Sequence, residues 1–312
     1  MNSAGRLDVA VVGAGRVGPV LGAALRASGH RVTGIAARTR TSAERVEALL
    51  PGVPWVEPAQ AFAADLVVLA VPDDVLGPLA AGLAPHARAG QLVVHTCGLH
   101  GTAVLEPLTA AGAMPAALHP AMTFTGTSLD LGRLRGAVVA VTVPPLLLPI
   151  ADALVREWGA TPVPVAEEDR PVYHAALAHG ANHLVTLVAQ ALDAAREAVG
   201  DAAPDVLRPL LSAALEGALD SGSAALTGPV ARGDAGTVAA HLRVLDERAR
   251  AGTAATYAQL ARVAADRAAA AGRLGPEAAV AVRTAVSEFE AGFEEGSRAA
   301  RARRSEEQQD RG

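Results

Sequence analysis

Asp8-Val9-Ala10-Val11-Val12-Gly13-Ala14-Gly15-Arg16-Val17-Gly18-Pro19-Val20-Leu21 is the stretch that decides the fold. A short β-branched run enters a G-x-G-x-x-G, and an alanine- and leucine-rich segment follows at once. Gly13 permits a tight turn, Gly15 lets backbone come close to a diphosphate, and Gly18 lets helix and strand pack. The helix N-terminus then turns its free amides toward the anion. In isolation such a triplet of glycines says little. Placed near the N-terminus, after one strand and before a second at 31–36, it predicts a dinucleotide-binding loop made by Gly13, Ala14, Gly15, Arg16, Val17 and Gly18.

Outward from this loop, β-branched runs alternate with alanine-rich helical stretches, the pattern of a parallel sheet covered on both faces. Strands are predicted at 8–12, 31–36, 66–71, 92–95, 116–119 and 137–143, with helices at 15–28, 41–50, 76–83 and 102–111. A helix at 149–158 and a strand at 161–165 finish the sheet side. Strand signals stop at Glu167, and helices are expected at 169–199, 204–221, 236–249, 253–271 and 276–299. The fold class is therefore α/β, a Rossmann-type domain over residues 1–166 followed by an all-α domain over 167–300. Residues 301–312 are charged, lack apolar anchors and read as a frayed, flexible tail.

Composition narrows the function classes. With 312 residues, 51% hydrophobic and 19% charged, the chain has the make-up of a globular protein of about two domains. A net charge of -5 leaves no basic footprint for a nucleic-acid backbone. The apolar run 9–12 is far too short to cross a bilayer, and no anchor or leader is expected. Cys97 is the single cysteine, which excludes an internal disulfide and fits a reducing compartment, so the cytoplasm is the expected location. All 27 basic residues are arginine. No Schiff base can form, and no lysine can serve as the proton donor beside a nicotinamide.

The end of the second strand speaks to the choice of cofactor. An acidic residue there would accept from a ribose 2′-hydroxyl, but this chain continues Ala37-Arg38-Thr39-Arg40-Thr41-Ser42. Arg38 and Thr39 would instead meet a 2′-phosphate, which favours NADP; one charge-assisted hydrogen bond is worth roughly ten- to hundredfold in affinity. Val71, Pro72 and Asp73 end the third strand and Thr96 and Cys97 the fourth, so all five should line the cofactor cleft, as should His119-Pro120 after the fifth. Cys97 itself is expected to be a buried, unreactive thiol.

The first long helix carries Tyr173, His174, His179, Asn182, His183 and Thr186 among alanines and leucines. At 100° per residue His179, Asn182, His183 and Thr186 share one face, while His174 lies well around the cylinder. Reduction of a carbonyl builds negative charge on oxygen, and in a lysine-free chain His174, His179 and Asn182 are the candidate donors. Hydrogen-bonded histidines at an interface are an equally good account of any one of them. His179 and His183 have the spacing of metal ligands, yet Gly180 stands where a metalloprotease helix places glutamate, so no metal is expected. Between two later helices, Leu226-Thr227-Gly228-Pro229-Val230-Ala231-Arg232-Gly233-Asp234 reads as a rigid loop. There Arg232 could clamp a substrate carboxylate with Thr227 donating beside it, or Arg232 could pair with Asp234 and cap the helix near Thr237.

Taken together, the strand-end V-V-H-T-C-G, the L-H-P, the Y-H-A-A-L-A-H-G-A-N-H-L helix, the L-T-G-P-V-A-R-G-D loop and His241-Leu242 resemble a bacterial family that pairs a Rossmann-like half with a helical domain of unknown function. The resemblance covers nearly the whole chain, with the T-G-P-x-x-R-G-D loop as its most specific part. It maps Tyr173, His174 and Asn182 onto the family's helix motif and Thr227, Gly228, Pro229, Arg232, Gly233 and Asp234 onto its loop. Cys97 stands where serine is frequent, and Arg170 where lysine is common. That family is similar to deazaflavin-dependent NADP oxidoreductases and pyrroline-5-carboxylate reductases, and includes an alternative ketopantoate reductase. The resemblance implies an NADP-dependent reductase, dimeric through its helical domain, and the expected reaction is hydride transfer to a small carboxylate-bearing carbonyl such as a 2-oxo acid. An imine reductase and a non-catalytic NADP-binding sensor are the alternatives.

Overall fold

The computed structural model describes the backbone of residues 5–37 and 42–309, and side chains as far as residue 293. It divides into two compact units, Met1–Ala181 and Asn182–Gly312. In the first, seven strands form one sheet: β1 (Asp8–Val12), β2 (Arg31–Ala36), β3 (Leu66–Leu69), β4 (Leu92–His95), β5 (Met114–Pro120), β6 (Val138–Thr142) and β7 (Thr161–Pro164). Their order is β2-β1-β3-β4-β5-β6-β7. All neighbours are parallel except β5 and β6, which run antiparallel. The expected all-parallel pattern therefore holds from β2 to β5 and reverses once. At the β7 edge Pro162 and Pro164 remove backbone donors, a common way of blunting a sheet edge.

Side-chain alternation along the strands builds two cores, one on each face. Val9, Val11, Leu66 and Val68 pack on one side with Leu21 and Leu25, whereas Ala10, Val12, Val67 and Leu69 pack on the other with Leu76, Leu83 and Leu108. The first face is covered by α1 (Gly18–Ala27), α2 (Ala43–Leu49), α5 (Leu129–Leu134) and α6 (Leu148–Glu157), the second by α3 (Asp73–Leu83) and α4 (Glu106–Ala110). Each fully buried leucine contributes about 1.5–3 kcal/mol.

The unit ends with α7 (Arg170–Leu177), and this shifts the division of the chain from the expected 166 to Ala181. The reason is Arg170, which is completely buried. Its Nε donates to Thr142 Oγ1 (2.7 Å), Nη1 to the Cys97 carbonyl (3.3 Å), and Nη2 to the carbonyls of Ala117 (2.8 Å) and Ala140 (3.1 Å). One guanidinium thus ties α7 to the end of β4 and to the antiparallel β5–β6 pair. Three residues earlier, the Glu167 carboxylate accepts from Thr102 N (2.7 Å) and Ala103 N (3.2 Å) after β4.

The second unit contains α8 (His183–Val199), α9 (Ala203–Ser221), α10 (Gly228–Arg232), α11 (Ala235–Arg248), α12 (Thr253–Ala270) and α13 (Pro276–Gln309). The last helix continues past the expected stop at 299. Ala254, Ala258, Ala261, Ala265 and Ala268 form the buried stripe of α12, and these small side chains let α11 and α13 approach closely around Val238, Leu242, Val282 and Val286. By contrast α9 buries only Ala203, and α8 buries no residue at all. Among the described residues no helix is long and apolar enough to cross a membrane.

Candidate active site

β1, β3, β4 and β5 are parallel, so their carboxyl ends share one edge, and the order changes direction between β1 and β3. Open α/β sheets bind ligands in that crevice. Gly13 occupies it with φ +116°, and its N–H donates to the Ala36 carbonyl at 2.8 Å. A Cβ there would lie 2.1 Å from the Ala70 carbonyl oxygen, so only glycine lets β1 turn past β3. Gly18 is packed as closely, against Gly13 and Val11. Gly15 is different: a Cβ built on it meets nothing within 4 Å. The space in front of Gly15 is open, and three residues on, α1 begins at Gly18 with no side-chain cap. This uncapped, glycine-walled cradle fits a diphosphate. Arg16 is exposed beside it.

Arg38 and Thr39 lie outside the described residues. A basic group that sequence reasoning missed is Arg45 on α2. Its Nη1 is 3.5 Å from the Ala14 carbonyl and 3.4 Å from Ser42 Oγ, and its side chain and that of Arg16 both come up against Gly126. Its place one turn into the helix after β2 was the available signal.

Val71 and Pro72 follow β3 and Asp73 opens α3, at the same edge. Thr96 is half-buried and its N–H donates to the Leu69 carbonyl at 3.3 Å. Cys97 is buried, and that burial, together with the Asp73 carboxylate beside it, pushes its thiol up to about 12. The thiol is therefore inert at neutral pH, as expected. His95 is fully buried; its Nδ1 accepts from Cys97 N (3.2 Å) and its Nε2 donates to the Gly101 carbonyl (2.8 Å), so it fixes the turn after β4.

The polar centre of this edge is a trio that α7 brings to β5. Tyr173 Oη and His119 Nδ1 are 2.9 Å apart, with the rings edge to face. His174 meets the same imidazole edge to face at 6.2 Å between centroids. Gly98 allows this: a Cβ there would sit 2.7 Å from His174 Cδ2 and 3.0 Å from His119 Nε2. Burial, with the Arg170 and His174 charges nearby, lowers His119 to about 4, and burial raises Tyr173. At neutral pH the pair is thus an uncharged imidazole hydrogen-bonded to an un-ionised phenol, which can pass one proton. The sequence placed His174 among the candidates and His119 at the cleft, but no spacing links position 119 to 173.

The other candidates stand apart from this trio in the chain. His179 and Asn182 fall in a π-helical turn, Ala178–Asn182, joining α7 to α8, and both are exposed. The wider turn breaks the uniform 100° step, so the shared face expected for His179, Asn182, His183 and Thr186 does not follow from it. The Asn182 carbonyl accepts from Thr186 Oγ1 at 3.4 Å. The presumed rigid loop at 226–234 contains a short helix: Thr227 is the extended residue before α10, and Gly233 ends it in the left-handed region. Asp234 caps α11 by accepting from Thr237 N (3.0 Å) and Thr237 Oγ1 (2.7 Å), while Arg232 is exposed. The capping role thus falls to Asp234. Among the described residues no cluster of three His, Cys, Asp or Glu side chains could hold a metal ion.

His95 and His119 make stability depend on pH. Both fold with a pKa near 4, against about 6.5 when unfolded. As pH falls from 6.5 toward 4, the unfolded chain binds protons that the fold refuses, so stability drops, by up to about 3 kcal/mol for His95. Urea unfolding between pH 7.5 and 4.5 should record this loss, and His119→Gln should flatten the slope. A flat profile across that window contradicts the assignment.

Comparison with known proteins agrees with this architecture. Residues 2–120 match the model of a Rossmann-like domain, and residues 137–264 match Domain of unknown function (DUF2520). The second match begins at β6, so the end of the sheet and α7 belong with it in sequence. No curated protein matches the chain. A candidate NADP oxidoreductase from Bacteroides fragilis is similar in structure, with 21% identity, 83% of this chain and 98% of that chain covered, and a TM-score of 0.71. An imine reductase from Myxococcus stipitatus in complex with NADP+ has 19% identity, coverage of 83% and 94%, and a TM-score of 0.60; its V8 variant has been solved with NAD+. The pyrroline carboxylate reductase of Plasmodium falciparum with NADP bound has 13% identity, coverage of 91% and 97%, and a TM-score of 0.53. At such identities the likeness concerns the fold. The chain carries two known domains in tandem, a Rossmann-like domain followed by the domain of unknown function DUF2520.

Proposed function

We propose that the protein is an NADP(H)-dependent oxidoreductase that reduces a small carboxylate-bearing carbonyl, with a 2-oxo acid such as ketopantoate as the leading substrate class. The observation that carries this is the open cradle at Gly15 on the same sheet edge as His119, Tyr173 and His174. Gly13 to Gly18 would hold the diphosphate, with Val71, Pro72, Asp73, Thr96 and Cys97 along the edge, and Arg38, Thr39, Arg16 and Arg45 supply donors for a 2′-phosphate. NADPH supplies a hydride when bound. The substrate oxygen then needs a proton, and a phenol hydrogen-bonded to a neutral imidazole delivers one and recovers it from solvent. In the helical unit, Thr227 and Arg232 are the candidate donors for the substrate carboxylate, and Asn182 and His179 further polar candidates.

A second reading, imine reduction, is favoured by the named activities of two of the similar structures. A C=N substrate arrives protonated and demands less of Tyr173. The third, an NADP-binding sensor, predicts cofactor binding without turnover. Steady-state oxidation of NADPH and NADH against a panel of 2-oxo acids and cyclic imines separates them. We expect turnover on a 2-oxo acid with NADPH, and Arg38→Ala to erode the preference for NADPH by roughly ten- to hundredfold. Tyr173→Phe should lower kcat by about 10–100-fold with cofactor affinity unchanged, and His174→Ala or Asn182→Ala should also lower it. Wild-type rates in all three variants would leave the helix with a purely structural role, and an inactive wild type would favour the sensor.

We also propose a homodimer through α8 and α9. A hairpin of two helices that buries a single alanine of its own cannot be stable in water by propensity alone. Val185 on α8 and Leu210 (65%) and Leu219 (78%), on opposite sides of α9, are exposed, and between the helices lies an apolar groove of about 530 Å³. A second copy is the occupant that matches such a face, because a two-fold interface is self-complementary. Sedimentation should give a dimer that Leu210→Glu with Leu219→Glu converts to a folded monomer. A monomeric wild type contradicts this.

A further inference from the structure

Between β5 and α5 the chain passes through Thr125-Gly126-Thr127, and Gly126 is buried there against two arginines, Arg16 of the glycine-rich loop and Arg45 of α2. Gly126 has φ +79°. A Cβ built on it would lie 2.5 Å from Arg45 Nε, 2.9 Å from Arg45 Cδ and 3.2 Å from Arg16 Cγ. Any other residue would therefore push the Arg45 side chain away, besides straining its own backbone. On its other side Arg45 Nη1 reaches the Ala14 carbonyl and Ser42 Oγ, so the side chain is confined between the main chain of Gly126 and the first loop. Among the described residues neither Arg16 nor Arg45 is paired with a carboxylate. A confined guanidinium without an anion loses less freedom on meeting one than a mobile side chain does.

Gly126 is itself held by Asp130, the second residue of α5, which is fully buried. Asp130 Oδ2 accepts from the N–H groups of Thr125 (2.8 Å) and Gly126 (2.7 Å). Its Oδ1 accepts from Thr125 Oγ1 (2.9 Å) and from Arg133 Nη1 (3.3 Å). Burial opposes the charged form, and the donors of Gly126 and Thr125 outweigh it, so the carboxyl stays below the usual carboxylate range. A buried carboxylate is costly unless its lone pairs are filled. Here the amides that fill them are the ones that set the position of Gly126. Contact thus runs from Asp130 through Gly126 to Arg45.

Resting on the NADP(H) reading above, we propose that Asp130 and Gly126 are positioning residues for coenzyme specificity. They hold the Arg45 guanidinium ready for the 2′-phosphate, and so favour NADPH over NADH by acting through Arg45.

Fluorescence titration of the full-length protein with NADPH and with NADH tests this through the ratio of the two affinities, which a loss of stability alone would not move. Gly126→Ala should lower that ratio by about tenfold, the value of one charge-assisted hydrogen bond. Asp130→Asn, whose amide nitrogen donates and cannot accept, should lower it by roughly three- to tenfold. In an Arg45→Met background Gly126→Ala should change the ratio by less than about twofold, because the residue it acts through is gone. Circular dichroism verifies folding, and either single variant suffices if the other does not fold. A folded Gly126→Ala or Asp130→Asn with the wild-type ratio overturns the proposal, as does a loss that persists in full in Arg45→Met. If Arg38→Ala erodes the wild-type preference while these variants keep it, the NADP(H) reading survives and only the positioning role falls. A wild type that binds both coenzymes equally, or neither, removes the two together.

Discussion

The carbonyl oxygen of Ala70 and the α-carbon of residue 13 are so close that a methyl group between them would have to sit 2.1 Å from the oxygen. Because residue 13 is glycine, the chain leaves β1 with a positive φ, crosses over the end of β3 and enters α1 at once. That crossing aims the first, uncapped turn of α1 at the open edge of the sheet. It also places the loop where the strand order changes direction, the position at which carboxyl ends of parallel strands leave a crevice. Every functional assignment to the first unit inherits its geometry from this contact.

A second constraint brings chemistry to that edge. Arg170 is a buried cation satisfied by a hydroxyl and three backbone carbonyls, one just after β4, one on β5 and one on β6, rather than by a carboxylate. Carbonyl dipoles from three directions can compensate a planar guanidinium where a lysine ammonium would reach fewer of them. With Glu167 bound to the turn after β4, the start of α7 is held from both sides, and Tyr173 and His174 follow within the next turn. The same buried positive charge helps to keep His119 neutral.

Much of this was legible in the sequence, for identifiable reasons. Strand alternation and the glycine spacing are local signals, so β1, β2 and β4 appear at their expected limits and the glycine-rich turn falls between β1 and α1. His119 and Tyr173 were each noticed, but their pairing depends on the antiparallel return of β6 and on α7 docking, neither of which leaves a local mark. Arg170 drew attention only as a departure from a family pattern, since a buried arginine and a surface one look alike in a sequence. The π-turn at Ala178–Asn182 has no signature in a periodicity that assumes one pitch, and so the face expected for His179 and Asn182 was drawn with the wrong rotation. Nor could apolar periodicity reveal that α8 and α9 bury only Ala203 between them.

Gly15 offers the most direct test of the whole account, because a side chain there has nothing in the protein to strike and lies where we propose the diphosphate binds. The measurement is the affinity for NADP+ of the wild type and of Gly15→Val, alongside their thermal unfolding. The account predicts saturable binding to the wild type, a loss of about a hundredfold or more in the variant, and an unchanged Tm. Equal affinities in two equally stable proteins would contradict it.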